Sequence, residues 1–210
     1  MLVIVDYDTG NTQNVKKALD YLNIENQLSA DSAVIEAADG LILPGVGAFK
    51  KAMLALEERN LVIPIQQAAA NKKPILGICL GMQLLFESSL EFGETSGLGL
   101  IDGRVEAIPD DLSVKVPHMG WDQNRVIQDD PIAARFAGES SYFVHSFYAN
   151  TRPENVLAVC DYGVALPSIV RNDNVIGMQF HPEKKWCGWS AWLGRLQGVG
   201  RKWKLFPQLI

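Results

Sequence analysis

Three residues with the chemistry of acyl transfer stand at two places in this 210-residue chain. Cys79 lies in Gly77-Ile78-Cys79-Leu80-Gly81, directly after the apolar run Pro74-Ile75-Leu76. His181 and Glu183 lie far downstream, in His181-Pro182-Glu183. A thiol, a base and a carboxylate that orients the base are the parts of a nucleophilic site able to cleave a carbonyl–nitrogen bond. A strand ending at Ile78 and a helix starting at Leu80 place the sulfur at a helix N-terminus, where the dipole favours a thiolate. Gly77 and Gly81 clear the side chains from a sharp strand-to-helix turn. An isolated free cysteine equally suits a small buried apolar role.

Residues two apart in extended chain point the same way. Pro182 predicts an extended segment, so Glu183 can hold one ring nitrogen of His181 while the other faces the thiol. Alone, the tripeptide also fits a surface loop. Pro44-Gly45-Val46-Gly47 follows an apolar run, and its glycines let main-chain amides approach a ligand closely. Those amides, with that of Leu80, suit an oxyanion. An ordinary strand-terminal turn would read the same.

These segments need a scaffold. Leu2–Val5, Gly40–Leu43 and Pro74–Ile78 read as buried strands. Val15, Ala18, Leu19 and Leu22 have helical spacing within 11–22. Lys51–Ala70 is helix-forming, with Pro64 interrupting or restarting it, and Leu80–Glu87 reads as another helix. Strands alternating with helices predict an α/β fold, a mostly parallel central sheet flanked by helices. The second half is richer in strands: Leu100–Ile108, Ser113–Pro117, Tyr142–Val144, Val156–Cys160 and Val175–Phe180. Added antiparallel strands are expected there.

Composition narrows the class. The chain is 48% hydrophobic and 20% charged, as expected of one domain with a sizeable core. Its net charge of −5 argues against a nucleic-acid partner. Three widely spaced cysteines, Cys79, Cys160 and Cys187, suggest neither a disulfide framework nor a metal cluster. A reducing compartment fits. With no signal peptide or membrane-spanning run, the expected location is the cytoplasm. Met119 and Trp121 suit a core as readily as a surface. His118 is given no catalytic role, Cys160 reads as packing, and Asp129-Asp130 and Glu57-Glu58 read as solvated surface.

Taken in order, Gly-Ile-Cys-Leu-Gly-Met-Gln, Pro-Gly-Val-Gly and His-Pro-Glu-Lys resemble the class I (triad) glutamine amidotransferases, which have a flavodoxin-like α/β fold. Four further segments resemble the glutaminase subunits of imidazole glycerol phosphate synthases. They are residues 6–11, 44–49, 117–121 and 142–148. The resemblance runs from residue 2 to about 184. It implies that Cys79 attacks the amide of glutamine, that His181, oriented by Glu183, moves the proton, and that Val46 and Leu80 supply oxyanion amides. It implies glutamine contacts from Gly45, Gly47 and Gln83, with His145, Ser146 and Phe147 nearby. Asn11, Trp121, Tyr142 and Lys184 would face a cyclase subunit, a (β/α)₈ barrel that takes the ammonia within a heterodimer in histidine biosynthesis. No cofactor or metal is implied.

After Lys184 the resemblance stops. Residues 185–210 hold four of the five tryptophans, Trp186, Trp189, Trp192 and Trp203, with glycines at 188, 194, 198 and 200. That composition makes a poor helix, where the family has its last amphipathic one. A one-base insertion in the adenine-rich codons of Lys184-Lys185 would produce such a break. The expected division is therefore a domain over 1–184 and an aberrant tail over 185–210. Two other readings stay open: a glutaminase serving a different synthase, or a catalytically damaged regulatory subunit.

Overall fold

The computed structural model describes residues 1–8 and 10–184. The notable break after Lys184, and the tail expected to replace the last helix, lie outside the described residues. In chain order the strands and helices are β1 (Leu2–Val5), α1 (Thr12–Tyr21), β2 (Asn26–Ser29), α2 (Ser32–Ala37), β3 (Gly40–Gly45), α3 (Phe49–Glu58), α4 (Val62–Ala70), β4 (Ile75–Cys79), α5 (Leu80–Leu84), β5 (Phe86–Ser89), β6 (Thr95–Ser96), β7 (Ile101–Ala107), β8 (His118–Gln123), β9 (Arg125–Val126), β10 (Ser140–His145), β11 (Phe147–Asn150), β12 (Val156–Tyr162), β13 (Val164–Asn172) and β14 (Val175–Met178).

An eight-stranded sheet runs β2-β1-β3-β4-β14-β13-β12-β9. Pairing is parallel from β2 to β14 and antiparallel from β13 onward. Two small sheets, β10-β8 and β11-β7-β5-β6, complete the fold. The alternation of each central strand decides its two cores. Val3, Val5, Leu41, Leu43 and Ile75 face one side and pack with Ile35, Phe49, Met53, Leu56 and Ile65 of α2, α3 and α4. Leu2, Ile4, Ile42, Leu76 and Ile78 face the other and meet Val15, Ala18 and Leu19 of α1. Burial on both faces is why these strands read as continuous apolar runs.

Several expectations need correction. The helix expected over Lys51–Ala70 is two helices, broken at Arg59–Leu61, where Asn60 takes φ 56°. Pro64 sits in the first turn of α4, where its missing N–H costs nothing. The helix expected to reach Glu87 ends at Leu84, because Phe86 enters a ladder with β7. Ser113–Pro117 forms no strand; the pairing segment is β8, one residue later. Asp130 is buried, not solvated: its carboxylate accepts from the Ile132 and Ala133 amides and from Arg171. Met119 and Trp121, by contrast, are exposed at 65% and 52%.

The turn from β4 into α5 packs against β3 at backbone distance. A Cβ on Gly81 would sit 1.7 Å from the Leu43 carbonyl oxygen, and one on Gly77 2.6 Å from the Gly81 oxygen. Main chain cannot step aside as a flexible side chain can. Gly81→Ala should therefore cost roughly 3 kcal/mol or more in urea unfolding, well above an ordinary substitution; a loss below about 1 kcal/mol would show that α5 is free to move.

Candidate active site

Cys79 ends β4 with φ 54° and ψ −113°. An L-residue occupies that region only where its surroundings impose it, at a cost of about 1–3 kcal/mol. The strain turns the chain from strand to helix within one residue and leaves the thiol at the carboxyl edge of the sheet. The side chain is 6% exposed. Parallel pairing registers Ile78 with Met178, so the residues just beyond β14 arrive beside the sulfur. Ligands of open α/β sheets bind at this edge.

His181 and Glu183 do meet, by a different route from the one expected. Pro182–Lys184 is a 3₁₀ turn, not extended chain, and proline suits the first position of a helical turn. Across it the His181 Nδ1 and Glu183 Oε1 lie 2.8 Å apart. Both residues are 4% exposed. The His181 amide donates to the Tyr142 carbonyl at 2.9 Å, fixing the turn against β10. Burial disfavours a charged imidazole, but hydrogen bonds to Cys79 and Glu183 outweigh it and raise the His181 pKa to about 10. The thiol, imidazole and carboxylate thus form one connected group.

Asn11 was expected at a partner surface. Its Nδ2 donates to Glu183 Oε1 at 2.9 Å, while its Oδ1 accepts from Asn14 Nδ2. This orienting contact was not legible in sequence, because Asn11 precedes α1 and reaches Glu183 only through the fold. Glu183 Oε2 is buried without a hydrogen-bond partner among the described residues.

The remaining expected residues fall around this group. Gly45 is registered with Cys79, so Val46 and Leu80 each follow one member of a paired couple. Val46 is 44% exposed, and Gly47 takes φ 99°, a conformation that favours glycine. Gln83 lies on α5 and spends both amide hydrogens internally, on the Phe147 carbonyl and Gln179 Oε1, each at 3.0 Å. His145 ends β10, Ser146 bridges to β11, and Phe147 begins it. His145 donates through Nδ1 to the Phe147 carbonyl at 2.8 Å. Burial drives its pKa down to about 4, against the pull of that carbonyl and aided by the nearby imidazoles.

Trp121, Tyr142 and Lys184 gather outside Glu183. With Asn14 and Glu183 they line a cleft of about 360 Å³. Trp121 packs edge-on against Tyr142 at 5.6 Å, and the Lys184 ammonium lies 3.7 Å above the Tyr142 ring. Sequence reasoning gave His118 no catalytic role and did not single out Asp122 or Gln179. Among the described residues, His118, Asp122 and Cys160 are the grouping whose donor atoms come close enough for a metal, within 4.8 Å. Both nitrogens of His118 are already hydrogen-bonded, and burial pushes the Cys160 thiol up to about 12, leaving it protonated.

The chain matches the family profile described as glutamine amidotransferase class-I over residues 3–187. The chain belongs to the class I glutamine amidotransferases. Its similarity within them is sharper still. It is 67% identical over 184 residues, 88% of each chain, to the imidazole glycerol phosphate synthase subunit HisH of Lacticaseibacillus casei (strain BL23). It is 58% identical, again over 88% of each chain, to the HisH subunit of Lactiplantibacillus plantarum. A crystal structure of a glutamine amidotransferase superposes with a TM-score of 0.73 at 21% identity, covering 94% of this chain and 99% of its own. That likeness bears out the α/β fold expected for the class I amidotransferases.

The chain has three histidines, so their titration can be followed one by one. Nitrogen-detected NMR should find His181 doubly protonated at neutral pH and losing its proton only near pH 10, with His145 neutral down to about pH 4. An unfolded imidazole titrates near ~6.5. The His181 contribution to stability is therefore complete below that value and is lost as pH rises through about 10, whereas His145 costs stability as pH falls from ~6.5 towards 4. Ordinary titration of both rings near ~6.5 would contradict the connected group.

Proposed function

We propose that this chain is the glutaminase subunit of an imidazole glycerol phosphate synthase, and that Cys79, His181 and Glu183 are its catalytic triad. The carrying observation is that Cys79, at the end of β4, is buried together with the His181–Glu183 pair, whose Nδ1 and Oε1 lie 2.8 Å apart, and that the sulfur acts on the same imidazole.

The sulfur of Cys79 attacks the side-chain carbonyl carbon of glutamine. The carbonyl oxygen takes the charge, and the main-chain amides of Val46 and Leu80 donate to it. One such donor is typically worth ~10²–10³ in rate. The C–N bond then breaks, and the proton held on His181 goes to the departing ammonia. The glutamyl thioester left on Cys79 is hydrolysed by water, which His181 deprotonates, giving glutamate. Glu183 holds the ring in one orientation throughout, and Asn11 holds Glu183. Gly45, Gly47, Gln83 and the His145-Ser146-Phe147 segment contact the bound glutamine.

Ammonia passes to a cyclase subunit with a (β/α)₈ barrel, the two chains forming a heterodimer in the cytoplasm. The cyclase joins it to a phosphorylated ribulosyl-formimino carboxamide ribotide. The products are imidazole glycerol phosphate, on the path to histidine, and aminoimidazole carboxamide ribotide. The exposed Trp121 and Lys184 and the half-buried Tyr142, gathered at the cleft beside Glu183, support a docking face there. We assign the amidotransferase domain to 1–184 and regard 185–210 as a tail displaced by a shifted reading frame.

Glutamate release, measured with and without the cyclase and its ribotide ligand, tests this reading. Release should rise when cyclase and ligand are present, and Cys79→Ala or His181→Ala should lower it by at least ~10³-fold. Equal activity without the cyclase would point to a glutaminase of another kind. No activity under any condition would point to a damaged or regulatory subunit.

A further inference from the structure

The nucleophile has a hydrogen-bond donor that the triad does not account for. Gln179, fully buried just beyond β14, directs its Nε2 at the Cys79 sulfur, 3.8 Å away. Which end of that amide faces the sulfur is decided elsewhere. Gln83 has two N–H bonds; one goes to the Phe147 carbonyl and the other to Gln179 Oε1. With its oxygen so occupied, Gln179 can present only nitrogen to Cys79.

The Phe147 carbonyl is itself fixed. It accepts from His145 Nδ1 as well as from Gln83, so both of its lone pairs are used. A carbonyl cannot donate, so His145 carries its hydrogen on Nδ1 and leaves Nε2 bare. That bare nitrogen lies 3.1 Å from His118 Nδ1, which must then be the donor. His118 Nε2 in turn lies 2.8 Å from Asp122 Oδ2. Phe143 and Tyr162 stack on the His118 ring at 4.7 and 3.9 Å, so it has no room to flip out of the line. Asp122, the outer end, is 43% exposed on β8, the strand that also carries Trp121.

We propose that Gln179 is a positioning residue for Cys79, that the Phe147 carbonyl and Gln83 set its amide in the one orientation that donates to the sulfur, and that the line Asp122–His118–His145 braces that carbonyl in place. The sense of donation is set at the Phe147 carbonyl, which can only accept: Gln83 must donate to it on one side and His145 on the other. Such a donor keeps the sulfur in one rotamer and gains strength as charge builds on it, since hydrogen bonds to charged acceptors are roughly twice as strong as neutral ones. The outer link needs a proton between His118 Nε2 and Asp122. An asparagine amide brings its own, so Asp122→Asn preserves the chain, while Asp122→Leu leaves His118 Nε2 without a partner.

Two measurements test the proposal, the first made on this chain alone and the second in the glutaminase–cyclase complex. One is the rate of Cys79 alkylation by iodoacetamide. The other is kcat and KM for glutamine, which rests on the function proposed above; alkylation does not, so failure of either idea can be told apart. Gln179→Met, which keeps the volume and removes the donor, should lower both kcat and alkylation roughly 10–100-fold, with KM changed less than about twofold. Asp122→Leu should lower both in the same sense, by roughly 3–10-fold, and Asp122→Asn should restore them. A normal alkylation rate in folded Gln179→Met would overturn the positioning role. If Gln179→Met does not fold, the Asp122 pair decides alone: Asp122→Asn falling as far as Asp122→Leu would overturn the chain, because charge rather than a hydrogen bond would then be what matters at its outer end.

Discussion

The site depends on the parallel pairing of β4 with β14. Ile75, Leu76, Gly77 and Ile78 lie opposite Val175, Ile176, Gly177 and Met178. With side chains alternating at a period of two, a slip of one residue would turn every one of them to the wrong face. It would also carry His181 away from Cys79. The register is held by burial on both sides, since Ile78 and Met178 share one core while Ile75 and Val175 share the other. The residues that do the chemistry are thus placed by residues that do none.

That placement puts charge where water is scarce. Burial alone would leave an imidazole neutral. Here the Cys79 sulfur and the Glu183 carboxylate reverse the balance, and His181 retains its proton. Among the described residues Glu183 has a single hydrogen-bonded oxygen, which serves both His181 and Asn11. His145, only a short way off, has no carboxylate partner among the described residues, and burial takes its pKa down to about 4. Two buried imidazoles on adjoining segments therefore sit on opposite sides of neutrality. The partner group, not the degree of burial, makes the difference.

Much of this was legible in the chain itself. Leu2–Val5 and the run ending at Cys79 are apolar strands because both their faces are covered, and the glycines around Cys79 announced a close turn. What sequence could not reveal was longer in range. Asn26–Ser29 is a polar edge strand with no apolar run to mark it. Val164–Asn172 contains Pro167, which argues against a strand, yet it pairs on both sides. Pro182 was read as keeping the chain extended, whereas the fold uses it to begin a 3₁₀ turn. Asn11 and Gln179 carry no local signal, since their partners are brought to them by the sheet.

The central claim is that Cys79 is the nucleophile toward the amide of glutamine. Rapid acid quenching of the enzyme complex during turnover, followed by peptide mass analysis, examines this directly. The expected result is one glutamyl group in thioester linkage on the peptide bearing Cys79, removed by hydroxylamine and absent when His181 is replaced by alanine. Glutamate formation with no such adduct in a burst experiment, or an adduct confined to Cys160, would contradict it.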